Sequence, residues 1–286
     1  MEHPDLDNNQ KMGRCTLIVD AGMGNWSVFF KPLAELLRPH IPVCLIDRAG
    51  YAENQLPATK RLSTHMALEM NAMLEMKGIT GNLILAGHSL GGLNARMFCS
   101  FFPEQVKGLI LLDAAHPFLL DKMPGIKGNI DAQIKQINKI MFIARLGFLR
   151  FGTRKVPTFG LPDYLLDEYY SVTLHSRYYR IYKMELESFE DNLEVCKKLP
   201  ALGATPLLVI GSRKGLNHFI NPTEKGDDFT DTSWLELQRD LTQLSSRSVF
   251  VVSNKDHFLH LTDTEFVADS ILKFCNPLTS TSNTVF

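Results

Sequence analysis

Nearly continuous apolar runs of strand length alternate with helix-length segments along much of this chain. Cys15 to Ala21 is one such run, and Val43–Ile46, Asn82–Ala86 and Gly108–Leu112 follow it. Helical segments lie between them. One begins at Trp26 and is closed by Pro39. Another starts with Ser63 or Thr64 as a cap, lines one face with Met66, Met70, Met73 and Leu74, and stops at Gly78. Strands that are apolar throughout are buried on both faces, and that is the habit of parallel sheets. The pattern predicts an α/β fold, a mostly parallel central sheet with helices on both faces.

The alternation stops near residue 117. From 117 to 200 the strand signals vanish and helices rich in Phe, Tyr, Met and Arg are expected. The strand pattern resumes at Pro206–Gly211 and ends with Val249–Ser253, with helices over Trp234–Leu244 and Glu265–Phe274. The expected organisation is one core, 14–116 and 201–276, with a helical insertion at 117–200 between two late strands. An insertion at the carboxyl edge of a parallel sheet sits over the crevice where ligands bind, so 117–200 is read as a cap. Residues 1–13 and 277–286 are polar and read as flexible tails.

Charge excludes some functions. The 286 residues carry 30 Lys+Arg against 31 Asp+Glu, a net charge of −1, so no strong field recruits nucleic acid. No apolar run approaches the roughly 20 residues of a transmembrane segment. Met1 to Lys11 lacks the basic flank and apolar centre of a secretory signal. The five cysteines (Cys15, Cys44, Cys99, Cys196 and Cys275) are scattered without C-x-x-C spacing and read as reduced core thiols. These features predict a cytoplasmic protein.

Chemistry is concentrated at Gly87-His88-Ser89-Leu90-Gly91, between an apolar strand and a helix. A serine nucleophile needs a sharp turn that lifts its hydroxyl to the top of a sheet. Glycines two before and two after leave room for that turn. The helix N-terminus then faces developing negative charge, and the Leu90 N–H becomes an oxyanion donor. A serine also needs a base, and the base needs an acid to fix its tautomer.

With these motifs the chain resembles the α/β-hydrolase fold family, serine type, over about 15–116 and 204–275. Ala21-Gly22-Met23-Gly24 is similar to the family's oxyanion loop, which implies the Met23 N–H as second oxyanion donor. Asp47-Arg48-Ala49-Gly50-Tyr51 resembles the turn after the following strand, where Asp47 and Arg48 read as loop braces. His257, four residues past Ser253, stands at the family's position for the base, with His260 as a neighbour behind it. His88 is expected to point away from the nucleophile. The family usually places the acid after the strand here ended by Gly211, but Ser212-Arg213-Lys214-Gly215 holds none. Some members place it one strand earlier, which implies Asp113. Asp227 and Asp228, in the polar loop beyond, are the alternatives. Asp256 stands where a glycine is usual, and the family's usual two strands before Cys15 are missing, so the sheet is expected to be shortened at one edge.

The implied function is a serine hydrolase of the esterase or lipase kind, cleaving an ester bond of a small, apolar acyl substrate through an acyl-enzyme on Ser89. Phe142, Phe148, Phe151, Tyr164, Tyr169, Tyr170, Tyr178, Tyr179 and Tyr182 are candidate walls under the cap. A non-catalytic ligand-binding relative and an acyltransferase are the competing readings. No metal-ligand spacing, Walker loop or dinucleotide fingerprint is present, so no cofactor is expected.

Overall fold

The computed structural model describes residues 15–145 (without 53, 55 and 58, and with the backbone alone at 143–145), 157–216 and 230–279. Six strands lie in one sheet: β1 (Thr16–Asp20), β2 (Val43–Ile46), β3 (Leu83–His88), β4 (Val106–Leu112), β5 (Leu207–Ser212) and β6 (Ser248–Ser253). Their order is β2-β1-β3-β4-β5-β6, and every neighbouring pair is parallel. The helices are α1 (Lys31–Leu37), α2 (Ser63–Met76), α3 (Leu90–Phe101), α4 (Leu119–Lys122), α5 (Gly125–Arg145), α6 (Leu166–Thr173), α7 (Ser176–Glu187), α8 (Phe189–Lys197), α9 (Thr232–Asp240), α10 (Leu259–Thr262) and α11 (Thr264–Thr279). Among the described residues, α4 to α8 fill the stretch between β4 and β5, and none of it is strand.

The two-sided burial follows from the period of a strand. Ile84 and Ala86 of β3 join Leu17, Val19, Ile110 and Leu208 on one face of the sheet. Leu83 and Leu85 join Ile18, Leu109, Leu111 and Leu207 on the other. Leu33 and Leu37 of α1 and Val267 and Ile271 of α11 cover the first face. Met66, Met70 and Leu74 of α2, Leu93 and Phe98 of α3 and Trp234 of α9 cover the second. The edge strand β6 is less enclosed, and Val249 is half exposed.

The strand order sets the location of the site. From β1 the chain steps one way to β2, then crosses back to β3 on the other side. Where the order reverses, the loops after β1 and β3 part and leave a crevice at the carboxyl ends of the strands. Those loops carry Gly22–Asn25 and Ser89.

Local expectations are corrected at three points. The segment from Trp26 opens as a 3₁₀ turn, Ser27–Phe30, and the α-helix begins only at Lys31, with Pro32 in its first turn, where no N–H is required. Neither Ser63 nor Thr64 caps α2; the cap position is Leu62, and the orphan N–H of Ser63 donates to Oδ1 of Asn192 in α8 at 2.7 Å. The tail expected from 277 begins as helix, since α11 continues through Pro277 to Thr279. Leu278 packs on the core, and its carbonyl accepts from the Cys15 thiol at 3.3 Å, which outweighs the missing proline N–H.

All five cysteines are free and four are buried. Burial pushes the Cys99 thiol up to about 12. Among the described residues no helix is long and apolar enough to cross a membrane.

Asn192 is fully buried, and its Nδ2 also donates to the Arg61 carbonyl at 2.9 Å. Asn192→Ala strands a buried N–H and a buried C=O together. A loss of about 3 kcal/mol in urea unfolding is expected, and a loss under about 1 kcal/mol would show that water takes over both groups.

Candidate active site

Ser89 sits between β3 and α3 with φ 50° and ψ −119°, a strained backbone for any residue with a Cβ. Its neighbours leave no slack. A Cβ on Gly87 would come within 2.3 Å of the Gly91 carbonyl oxygen, and one on Gly91 within 2.3 Å of the Asp20 carbonyl oxygen. The serine carbonyl is held as well, accepting from the N–H of Gly92 and of Ala115, each at 3.0 Å. As the first residue of α3, Leu90 has an N–H with no acceptor inside the helix. Among the described residues no hydrogen bond leaves the Met23 N–H.

Asp113 follows β4 with φ 43° and is fully buried. Its Oδ2 accepts from His257 Nδ1 and from the Ser212 hydroxyl, each at 2.7 Å. Its Oδ1 accepts from the Ser212 N–H at 2.6 Å and from Trp234 Nε1 at 2.7 Å. The position after Gly211, which lacks an acid, thus carries Ser212, whose hydroxyl and N–H both serve Asp113. Asp227 and Asp228 lie outside the described residues. Asp256 turns back into its own loop, where its carboxylate accepts from the Phe258 N–H at 2.9 Å and the Thr262 hydroxyl at 3.3 Å.

Among the described residues His88 makes no hydrogen bond to Ser89. Its ring is buried and its Nε2 meets the carbonyl of His257 at 2.9 Å, so Nε2 carries the proton. His260 lies behind it, stacked on Phe30 with centroids 4.2 Å apart and with no partner for either ring nitrogen among the described residues. Burial, aided by the neighbouring histidines, holds His88 well below the usual imidazole value. Burial, and then His257, bring His260 down to about 3. His116 is elsewhere, at 2.9 Å from Asp240.

Ser89, His257, Met23 and Gly22 line one open cavity. Leu119, Ile126, Ile130, Phe159, Leu186 and Phe189 give it apolar walls, and Asn25, Asn129 and Gln133 give it polar ones. Of the aromatic candidates, Tyr178 and Tyr182 line it. Tyr169 instead stacks on Trp26 in the core, while Phe142 and Tyr164 are exposed. Phe148 and Phe151 lie outside the described residues. Among the described residues no group of three His, Cys, Asp or Glu is arranged to hold a metal ion.

Behind the cavity, Arg48 is buried and donates all five of its N–H groups. They go to Asp20, Glu185 and the carbonyls of Ala21, Gly22 and Asn25, at 2.6 to 3.2 Å. Arg48 and Asp47 brace loops as expected, Asp47 by accepting from the N–H and hydroxyl of Ser27. Glu185, Trp234 and Ser212 were not singled out in the sequence. No local pattern marks them, because their partners lie 99 to 161 residues away.

The model of the alpha/beta hydrolase fold family matches residues 17–275. A pimeloyl-[acyl-carrier protein] methyl ester esterase of Wigglesworthia glossinidia brevipalpis is 31% identical over 150 residues, 50% of this chain and 55% of that protein. A putative carbamate hydrolase RutD of Azorhizobium caulinodans is 30% identical over 97 residues, 34% of this chain and 36% of that protein. The chain thus matches only 36% to 55% of the length of these curated relatives. Among solved structures, an esterase from Thermogutta terrifontis aligns with TM-score 0.66 at 20% identity, over 94% of this chain and 91% of that one. At that identity the likeness shows the fold.

The two buried histidines make the fold acid-sensitive. His88 and His260 bind a proton more readily in the unfolded chain, near the ordinary 6.5, than in the folded one. Between that value and about 3 the unfolded state holds more protons, so stability falls as pH falls. His260→Phe keeps the stack on Phe30 and removes one titration. From pH 7 to pH 5 the variant is expected to lose about 2 kcal/mol less than wild type in urea unfolding. Equal losses would mean that the ring protonates in place.

Proposed function

The chain belongs to the α/β-hydrolase fold family, and from that premise we propose that it is a serine hydrolase that cleaves a carboxylic ester through an acyl-enzyme on Ser89. The observation that carries this reading is the 2.7 Å bond from His257 Nδ1 to the buried Asp113, beside a serine held in the strained turn. With Nδ1 protonated toward Asp113, Nε2 offers its lone pair. Ser89 Oγ attacks the ester carbonyl while His257 takes the hydroxyl proton. The N–H groups of Met23 and Leu90 receive the oxyanion. His257 returns the proton to the leaving alcohol, and a water activated in the same way releases the acid. Asp113 holds the imidazole in the productive tautomer and stabilises its charged form.

The hydrolase reading also draws on the esterase and the carbamate hydrolase among the relatives. A serine at position 89 is a better nucleophile for acyl transfer than for chemistry that needs a carboxylate nucleophile. The helices between β4 and β5 act as the cap. They supply Leu119, Ile126, Ile130, Tyr178, Tyr182, Leu186 and Phe189 to the cavity. Those side chains favour an apolar acyl or alcohol group. The vacant acid position after Gly211, which spoke for a non-catalytic relative, is offset by the carboxylate that reaches His257 from β4.

Labelling with a fluorophosphonate tests this. Wild type is expected to label and Ser89→Ala not to label. Asp113→Asn is expected to lower kcat/KM for a short p-nitrophenyl ester by about 10³- to 10⁴-fold, and the double variant Asp227→Asn/Asp228→Asn to stay within about twofold. Folded wild type that neither labels nor hydrolyses would sink the reading, and a large loss in the double variant would move the acid to the loop.

A further inference from the structure

The N–H that the proposed oxyanion hole takes from Met23 has its direction set from behind. In a trans peptide the N–H of one residue points opposite to the carbonyl of the residue before it. The Gly22 carbonyl is turned onto Arg48 Nη2 at 2.8 Å. The Met23 N–H is therefore turned away from Arg48, and Met23 lines the cavity while Arg48 does not. The next N–H, that of Gly24, is bound in the opposite sense: it donates to Glu185 Oε2 at 2.9 Å, in a buried position.

Arg48 and Glu185 are themselves locked. Glu185 Oε1 accepts from Arg48 Nε at 2.9 Å, and its Oε2 accepts from the Tyr51 hydroxyl at 2.6 Å. Asp20 holds the far side of the guanidinium at 2.7 Å. Glu185 belongs to α7, not to the sheet that carries the rest. Two more residues of that helix reach the same loops. Gly24, with φ 74°, has the Tyr182 ring 3.0 Å from where a Cβ would stand, and Gly50, with φ 95°, has Ile181 at 2.8 Å.

We propose that Glu185, acting with Arg48, is a positioning residue for the oxyanion hole, so that a helix of the insertion shapes the loop that receives the developing charge. The inference rests on the serine-hydrolase reading, and it adds a function for α7 beyond walling the cavity. Neither residue is placed to touch the reacting atoms. Both act through the peptide planes of Gly22–Met23 and Met23–Gly24.

The test compares the full chain with Glu185→Gln and Arg48→Lys. A glutamine keeps the size but cannot accept from all three donors while its amide nitrogen faces them. A lysine keeps the charge but has three donors for five acceptors. Reactive sites are counted by fluorophosphonate end-point titration, so kcat is expressed per site. Each variant is expected to lose about 10- to 100-fold in kcat, with KM for a p-nitrophenyl ester within about threefold of wild type. A purely structural role predicts fewer reactive sites with kcat per site within about twofold of wild type, and that result in either folded variant overturns the proposal. Should both variants fail to fold, hydrogen exchange of the wild-type Gly24 amide decides: strong protection is expected, and exchange at the rate of an open loop overturns it. A folded wild type that neither labels nor hydrolyses would instead remove the serine-hydrolase premise, an outcome distinct from an active wild type with unaffected variants.

Discussion

A single buried carboxylate ties together the half of the sheet that the chain reaches last. Asp113 lies at the end of β4 and accepts four hydrogen bonds, from Ser212 at the end of β5 (two), Trp234 in α9 and His257 beyond β6. Removing a carboxylate from water costs several kcal/mol, and the cost is offset only if its lone pairs are met with good geometry. Here each donor comes from a different element or is fixed by one. The carboxylate is thus satisfied only when β4, β5, α9 and the loop after β6 are all in place. That coupling makes the His257 ring orientation a product of the fold and not of its own loop.

The strained serine depends on the same economy of space. A positive φ at a residue with a Cβ persists only where the surroundings over-determine it. At Ser89 they do, because the glycines on either side bring α3 within contact of β1 and the serine carbonyl is bound by two N–H groups. Relaxing the turn would lose those bonds and push α3 off the sheet.

What was legible in the sequence was what is encoded locally. The apolar runs at 15–21, 43–46 and 108–112 announce strands because burial on both faces leaves no other composition. The Gly-x-Ser-x-Gly run announces the turn because only glycine tolerates that crowding. Asp113 stands beside Asp227 and Asp228 as a candidate acid because the partners of Asp113, Trp234 and Ser212, meet it through space, and nothing in their sequence surroundings marks them. Glu185 was invisible for a related reason. It sits in a helix that also carries Arg177, Arg180, Lys183 and Glu187, and only the folded chain brings it onto the Gly24 amide.

The position of Glu185 also bears on what the insertion is. A lid that merely covers a crevice leaves the core's polar groups satisfied when it lifts. Here the core is not self-sufficient. Without α7, Arg48 Nε and the Gly24 N–H lose their acceptor, and the Tyr51 hydroxyl loses its own. Burial and Glu185 hold that phenol well above its usual value, so it remains a donor. Three donors of the core thus converge on one carboxylate of the insertion. Each buried donor left unpaired costs about 1–3 kcal/mol, so lifting α7 off these loops is costly. Any motion that admits a ligand is cheaper where the walls are apolar, around Ile126 and Ile130 of α5, than where Glu185 closes the network behind the site.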